Sequence, residues 1–210
     1  MTHFVVTGTD TDIGKTVFSA ALTAALGASY WKPVQSGLEG GTDSERIAQL
    51  TGLNDTGHPR IFPEHYRLVT PASPHLSAEI DGVEIDPAAI TPPVCKGPLV
   101  IEGAGGALVP VTRTVLFADL FARWQLPVII CARTGLGTIS HTLMTIESLR
   151  SRGVPIHGIT FIGDAMPDSE AVIPEISGVR RLGRLDRLSR LDRDSLIAAF
   201  DAGFDIKDFQ

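Results

Sequence analysis

The chain has 210 residues, 43% of them hydrophobic and 20% charged, which suits one globular domain with a buried core. A net charge of −6 argues against a general nucleic-acid surface, which needs an excess of Lys and Arg. Two cysteines, Cys95 and Cys131, give no disulfide framework; no apolar run approaches membrane-spanning length and no signal peptide is recognisable, so a cytoplasmic, membrane-free protein is expected.

An apolar strand is expected over residues 4–7. It runs into Gly8-Thr9-Asp10-Thr11-Asp12-Ile13-Gly14-Lys15-Thr16 and then a helix over 14–26. Glycines turn successive N–H groups inward, the helix adds the positive end of its dipole, and Lys15 supplies a mobile cation. This is a phosphate-binding loop, with the Thr16 hydroxyl placed for a magnesium ion. Five residues separate its glycines where the common form has four, and two of them are acidic. Asp10 and Asp12 beside a phosphate imply a metal or an amine as a second, cationic partner.

A second strand, over 30–34, carries Lys32 behind the aromatic pair Tyr30-Trp31 and ahead of Pro33. An ammonium at a strand end beside a phosphate site can neutralise a carboxylate, a carbamate or a phosphate, with Ser36 donating to the same group. A helix over 43–50 takes Thr42 or Asp43 as its N-cap; the other role open to Asp43 is to reach the magnesium ion. From 51 to 98 prolines interrupt every pattern, and a crossover with a short helix and an edge strand is expected. Within it, Thr70-Pro71-Ala72-Ser73-Pro74-His75 is a stiffened turn able to wall a pocket, and His75 reads as structural.

The strand over 99–102 ends in Glu102-Gly103-Ala104-Gly105-Gly106. A carboxylate there, followed by small residues, fits a magnesium ligand or a water-orienting group opposite the phosphate loop. Helices over 116–124, 139–150, 168–176 and 193–200 alternate with strands over 128–131, 159–162 and 179–182, and Cys131 reads as a small buried hydrophobe. The alternation defines an α/β fold, a doubly wound, mostly parallel sheet, in one domain spanning 1–210. Ligands collect at the carboxyl ends of such strands. There, glycines ahead of a Thr138 or Ser140 cap make a second anion-ready helix start, and Gly163-Asp164 offers a place for a nucleotide base. Six arginines between 180 and 193, interleaved with leucine and aspartate, read as an extended, solvated rim.

These motifs, in this order, resemble those of the dethiobiotin synthetase family. The carriers are the loop from Gly8 to Thr16, Lys32-Pro33-Val34-Gln35-Ser36-Gly37, Pro71-Ala72-Ser73-Pro74-His75, Glu102-Gly103-Ala104-Gly105-Gly106 and Gly137-Thr138-Ile139-Ser140-His141. The resemblance implies a P-loop NTPase fold and an ATP- and magnesium-dependent ligase of biotin synthesis. In that reaction 7,8-diaminononanoate takes up carbon dioxide as a carbamate, attacks the γ-phosphate, and closes to a cyclic urea. It implies catalytic roles for Lys15, Lys32 and Thr11, and magnesium ligation by Thr16, Asp43 and Glu102. Nucleotide contacts would fall on Asp12, Ile13, Gly14, Lys15, Thr16, Val17, Glu102, Gly103, Gly105, Gly163 and Asp164. Substrate contacts would fall on Thr11, Lys32, Ser36 and Pro71. Gly137, Thr138, Ile139 and Ser140 would bind the substrate carboxylate across a homodimer interface. Two departures occur: Gly163 stands where the family commonly carries Asn, and Gly183-Arg184-Leu185-Asp186 where it carries Gly-x-Ile-Pro. Weaker discrimination among nucleoside triphosphates is the expected consequence. The rival readings, a nucleotide switch of the partition or division-site type and a cobyrinate-type amide ligase, lack a use for Lys32 with Ser36 or need a further domain.

Overall fold

The computed structural model describes residues 2–53 and 60–210; Pro59, one of the prolines expected to break the 51–98 segment, lies outside them. The chain runs β1 (His3–Gly8), α1 (Lys15–Leu26), β2 (Ser29–Trp31), β3 (Val34–Ser36), α2 (Asp43–Thr51), β4 (Ile61–Phe62), β5 (Tyr66–Leu68), α3 (Pro74–Asp81), β6 (Leu99–Gly106), α4 (Phe117–Trp124), β7 (Val128–Arg133), α5 (Thr138–Ser151), β8 (Ile156–Ile162), α6 (Pro167–Ser177), β9 (Arg181–Leu185) and α7 (Arg193–Gly203). A 3₁₀ turn follows, Ile206–Phe209.

Seven strands pair in the order β4-β2-β6-β1-β7-β8-β9, every neighbour parallel. Alternation along β1 explains the two layers that cover it. Phe4 and Val6 enter one core with Phe18 and Leu22 of α1, Ile47 of α2 and Phe200 of α7. Val5 enters the other with Phe117 and Phe121 of α4, Ile146 of α5 and Ile173 of α6. Both faces are therefore dry, as a parallel sheet requires, and each fully buried Phe or Leu contributes roughly 1.5–3 kcal/mol. Among the described residues, no helix is long and apolar enough to cross a membrane.

The strand expected over 30–34 is in fact two. Pro33 cannot donate to a ladder. Its carbonyl instead accepts from the backbone N–H groups of His65 (2.9 Å) and Tyr66 (3.1 Å), and the chain leaves the main sheet there. β3 then pairs with β5 in a separate two-stranded sheet, while β4 forms the edge of the large one. The last strand lies at Arg181–Leu185 and not over 179–182, so part of the arginine-rich rim is a sheet edge. The stiffened turn after Thr70 is shorter than expected, because Pro74 opens α3 at its first position.

Candidate active site

β1 delivers the loop between Gly8 and Thr16 to the carboxyl edge of the sheet, between β6 and β7. The Thr9 N–H donates to the Cys131 carbonyl (3.0 Å), tying the loop to β7. Asp10 spends its carboxylate locally, accepting from the Thr11 N–H at 2.8 Å. Asp12 does not; it sits exposed in the left-handed region (φ 55), an uncommon place for a non-glycine residue. Lys15 is buried, and its ammonium donates to the Asp10 carbonyl at 2.9 Å. Burial pulls its pKa down, against the opposing charge of Glu102.

Four elements converge opposite the loop. Thr42 caps α2 through a full capping box with Glu45, which frees the Asp43 carboxylate from capping. The Asp43 N–H is held by Gln35 Oε1 at 3.2 Å. Thr16 Oγ1 lies 2.8 Å from Glu102 Oε1 and 3.3 Å from Asp43 Oδ1, so its single proton goes to the nearer carboxylate, Glu102. The Lys32 ammonium stands between both carboxylates, paired with Asp43 and 3.4 Å from Glu102 Oε1. Burial alone would lower its pKa, but Glu102 and then Asp43 outweigh burial and leave it raised. Below Glu102, the Tyr30 hydroxyl donates to Oε2 at 3.1 Å. Burial first, then the Glu102 charge, push the Tyr30 pKa far up, so the phenol keeps its proton.

Two contiguous cavities open here. One, about 330 Å³, is lined by Thr11, Asp12, Ile13, Gly14, Lys15, Thr16 and Val17, closed by Lys32, Asp43, Glu102 and Gly105. The other, about 570 Å³, shares Thr11, Asp12, Lys32, Asp43 and Gly105 and extends past Gln35 and Ser36 to the wall from Pro71 to Pro74. Ser36 Oγ is buried and has no hydrogen-bond partner among the described residues. Gly37 lets the wall approach: a Cβ there would stand 3.0 Å from Pro71 Cβ.

The structure thus brings together Thr11 to Val17, Lys32, Ser36, Asp43, Pro71, Glu102 and Gly105. It places three groups elsewhere. Gly103 lies within β6 against the Phe121 ring and lines neither cavity. Gly163 and Asp164 follow Ile162, whose side chain abuts Gly14, and they line neither cavity; Asp164 is exposed and paired with Arg187 at 3.4 Å. Gly137, in the left-handed region, is the N-cap of α5, with no side-chain cap, so neither Thr138 nor Ser140 caps that helix; Thr138 is buried inside the first turn. These residues and Ile139 are outside the Lys32 cavities of their own chain. Their neighbours His141 and Met144 line a third cavity of about 420 Å³ with Thr9, Asp10, Thr11 and Leu108. Most of the arginine-rich stretch is paired: Arg180 with Asp208, Arg181 and Arg184 with Glu170, Arg187 with Asp164, Arg190 with Asp192.

Tyr30 and Gln35 are the site residues that sequence reasoning did not single out. A signal for Tyr30 existed: it lies two residues before Lys32 in the stretch expected as a strand over 30–34, hence on the same side of an extended chain. Gln35 carried none, since its amide acts on a backbone N–H that only the fold brings near.

The parallel sheet, central loop-bearing strand and Gly-Lys-Thr helix start define a P-loop protein of the ATPase type. The fold agrees with the cell division ATPase MinD of Pyrococcus furiosus (TM-score 0.54, 11% identity, all of both chains covered). It agrees likewise with a ParA family ATPase from Chlorobium tepidum (TM-score 0.53, 13% identity, 96% of this chain and 92% of that one). A family model described as an AAA domain matches residues 2–195. Proteins named ATP-dependent dethiobiotin synthetase BioD are similar over the whole length: 64% identical in Sphingopyxis alaskensis and 61% in Novosphingobium aromaticivorans, each with full coverage of both chains. The Agrobacterium fabrum protein of that name is 61% identical over 99% of this chain and 96% of its own. This chain belongs to the ATP-dependent dethiobiotin synthetase family, a family of ligases.

Proposed function

We propose that the chain, acting as one P-loop domain, is an ATP-dependent dethiobiotin synthetase. It converts 7,8-diaminononanoate, carbon dioxide and ATP into dethiobiotin, ADP and phosphate. The observation that carries this reading is Lys32, fixed by Asp43 and Glu102 at the junction of two cavities, one walled by the phosphate loop and one by Ser36 and Pro71. The triphosphate of ATP suits the first, against the N–H groups of the loop and Lys15, and the diamine suits the second. One amine takes up carbon dioxide as a carbamate, whose oxygen attacks the γ-phosphorus and releases ADP. The second amine then attacks the carbonyl of the carbamic-phosphoric anhydride, phosphate leaves, and the ureido ring closes.

Each side chain has work in that sequence. Lys32 neutralises the carbamate and the transferring phosphoryl group, Lys15 the β- and γ-phosphates, and Ser36 Oγ donates to the carbamate. Asp12 favours the cationic diamine at the cavity mouth, and Thr11 orients it. Positioning supplies most of the rate in such a reaction, because little covalent chemistry falls to the protein.

Thr16 Oγ1, Asp43 Oδ1 and Glu102 Oε1 form a convergent set of hard oxygens that fits magnesium. Among the described residues no group of three or more His, Cys, Asp or Glu could hold a metal, and an ion that keeps waters and takes phosphate oxygens needs no such group. When bound, magnesium would neutralise charge on the phosphates. The protein is proposed to work in the cytoplasm as a homodimer. Exposed Leu108 and Met144, which both line the third cavity, support that, with the partner's α5 start closing over the substrate carboxylate. The test is phosphate release from Mg-ATP with and without diamine and bicarbonate, following the product by mass. Release that depends on both, with a product of ureido mass, is expected; hydrolysis independent of the diamine, without product, overturns the assignment.

A further inference from the structure

We propose that Tyr30 is a positioning residue: its hydroxyl holds one oxygen of Glu102 and so aims the other at Thr16 and Lys32. The inference rests on the synthetase reading above for the role of Glu102, and on three observations for the role of Tyr30.

The first is register. In the parallel pairing of β2 with β6, Tyr30 lies opposite Val100, so Glu102 is its diagonal neighbour on the same face. A tyrosine at this position therefore has its ring beside Val100 and its hydroxyl at the carboxylate. The second is burial. Tyr30 is fully buried, its ring packed in the core with Phe4, Phe18 and Ile47, and Glu102 is 1% exposed. Phenylalanine would fill the same space; the hydroxyl adds nothing to packing and needs a polar partner in the dry interior. The third is the division of labour on Glu102. Oε2 accepts from Tyr30 at 3.1 Å, whereas Oε1 faces Thr16 at 2.8 Å and Lys32 at 3.4 Å.

The Glu102 carboxylate, midway along β6, would with Thr16 and Lys32 on one oxygen alone still turn about its terminal torsion, which is broad and roughly two-fold. The Tyr30 bond removes that freedom. Glu102 then offers one oxygen to the cavity at a fixed angle and withholds the other, which matters where donors must be held to a fraction of an ångström. The hydroxyl serves Glu102, and Tyr30 itself lines neither cavity.

The test is Tyr30→Phe, read by the affinity of Mn²⁺ in the presence of ADP, measured by electron paramagnetic resonance, and by steady-state product formation. Partners that orient metal-binding groups typically change affinity or activity by about 10–100-fold, and a loss in that range is expected for Mn²⁺ binding. The turnover number should fall while KM for the diamine holds, because the diamine meets the other cavity. In Glu102→Gln the same substitution should add little further loss, since the two act as one unit. A chain that keeps Tyr30 supplies a readout independent of any substitution there. With only two tyrosines present, a Tyr66→Phe background isolates the Raman doublet of Tyr30, which should report a strong donor and change in Glu102→Gln. Mn²⁺ affinity within twofold of wild type in Tyr30→Phe, or losses that add in full with Glu102→Gln, would overturn the proposal. Metal affinity and the Raman doublet are read without the reaction. Failure of wild type to form dethiobiotin therefore refutes the synthetase assignment alone, whereas unchanged metal affinity in an active enzyme refutes the Tyr30 role alone.

Discussion

Replacing Lys32 by methionine keeps the aliphatic stem and deletes the ammonium between Asp43 and Glu102. Two carboxylates then face each other with no cation. Removing one partner of a buried ion pair costs about 3–5 kcal/mol. The lower end applies here for two reasons. The Asp43 side chain is 31% exposed, so water screens part of its charge, and Thr16 and Tyr30 still donate to Glu102. A loss of about 3 kcal/mol on a chain of this size lowers the melting temperature by roughly 6–12 °C. The folded-state pKa of Lys32 is raised, so its contribution is complete below about pH 10.4 and is lost only as pH climbs through the folded value. The gap between wild type and variant should therefore stay constant from about pH 7 to 9. Thermal melts by circular dichroism measure it, and added magnesium should raise the variant's melting temperature more than the wild type's by occupying the vacated charge position. Product formation should be abolished in a protein that still folds. Melting within 2 °C of wild type, roughly the effect of a single kcal/mol, would refute the ion-pair reasoning. Near-normal turnover would remove Lys32 from the reaction.

Three other outcomes follow from the geometry. His157 donates from Nε2 to the Asp208 carbonyl at 2.7 Å, between the Phe4 and Phe209 rings, and burial lowers its pKa, aided by Arg180 and opposed by Asp208. Its contribution to stability is present above about pH 6.5 and lost as pH falls, so resistance to urea should weaken between pH 6.5 and 5 in wild type and less steeply in His157→Phe; equal slopes would contradict this. At Gly163, with φ 122, a Cβ would stand 2.5 Å from Thr134 Oγ1. Gly163→Asn should thus lose about 1–3 kcal/mol in melts and gain no selectivity, while GTP and CTP stay within about a thousandfold of ATP in wild type; a stable, ATP-selective variant would disprove both. Met144→Asp, at the exposed lip of the third cavity with Leu108, should turn a dimer into a monomer in sedimentation velocity and abolish product formation, whereas a monomeric, active wild type would remove the dimer from the proposal.

Much of the fold was legible because buried parallel strands announce themselves as apolar runs: Val5-Val6, Val100-Ile101 and Val128 to Cys131 are all core residues. What escaped lies at edges and breaks. β4 is the edge strand expected within 51–98, but two residues are too few to place it, and β5 is too short to carry a pattern; β9, Arg181-Leu182-Gly183-Arg184-Leu185, overlaps the strand expected over 179–182 and runs on into the stretch that reads as rim. The split at Pro33 followed from its missing N–H, but nothing local says that Tyr66 supplies the new partner. In the site, Lys15 and Thr16 could be picked out from the glycine-bounded loop ahead of a helix, and Lys32 and Glu102 because apolar runs rarely end in such groups without use. Asp43 could not be separated from a helix cap until Thr42 was seen to take that job. Contacts that join distant segments, such as Tyr30 with Glu102, have no sequence signature beyond parity along a strand.

The central place of β1 has a consequence for the order in which the molecule assembles. Its neighbours are supplied by Leu99 and the residues after it on one side and by Val128 onward on the other. Such long-range parallel pairings must pay for closing large loops before they return any contact, which slows folding. The phosphate loop, although written in the first residues of the chain, therefore gains its shape only after β6 and β7 have docked. A nascent chain that stops short of Arg133 has no nucleotide site, and ATP can act as a ligand only to a sheet already built.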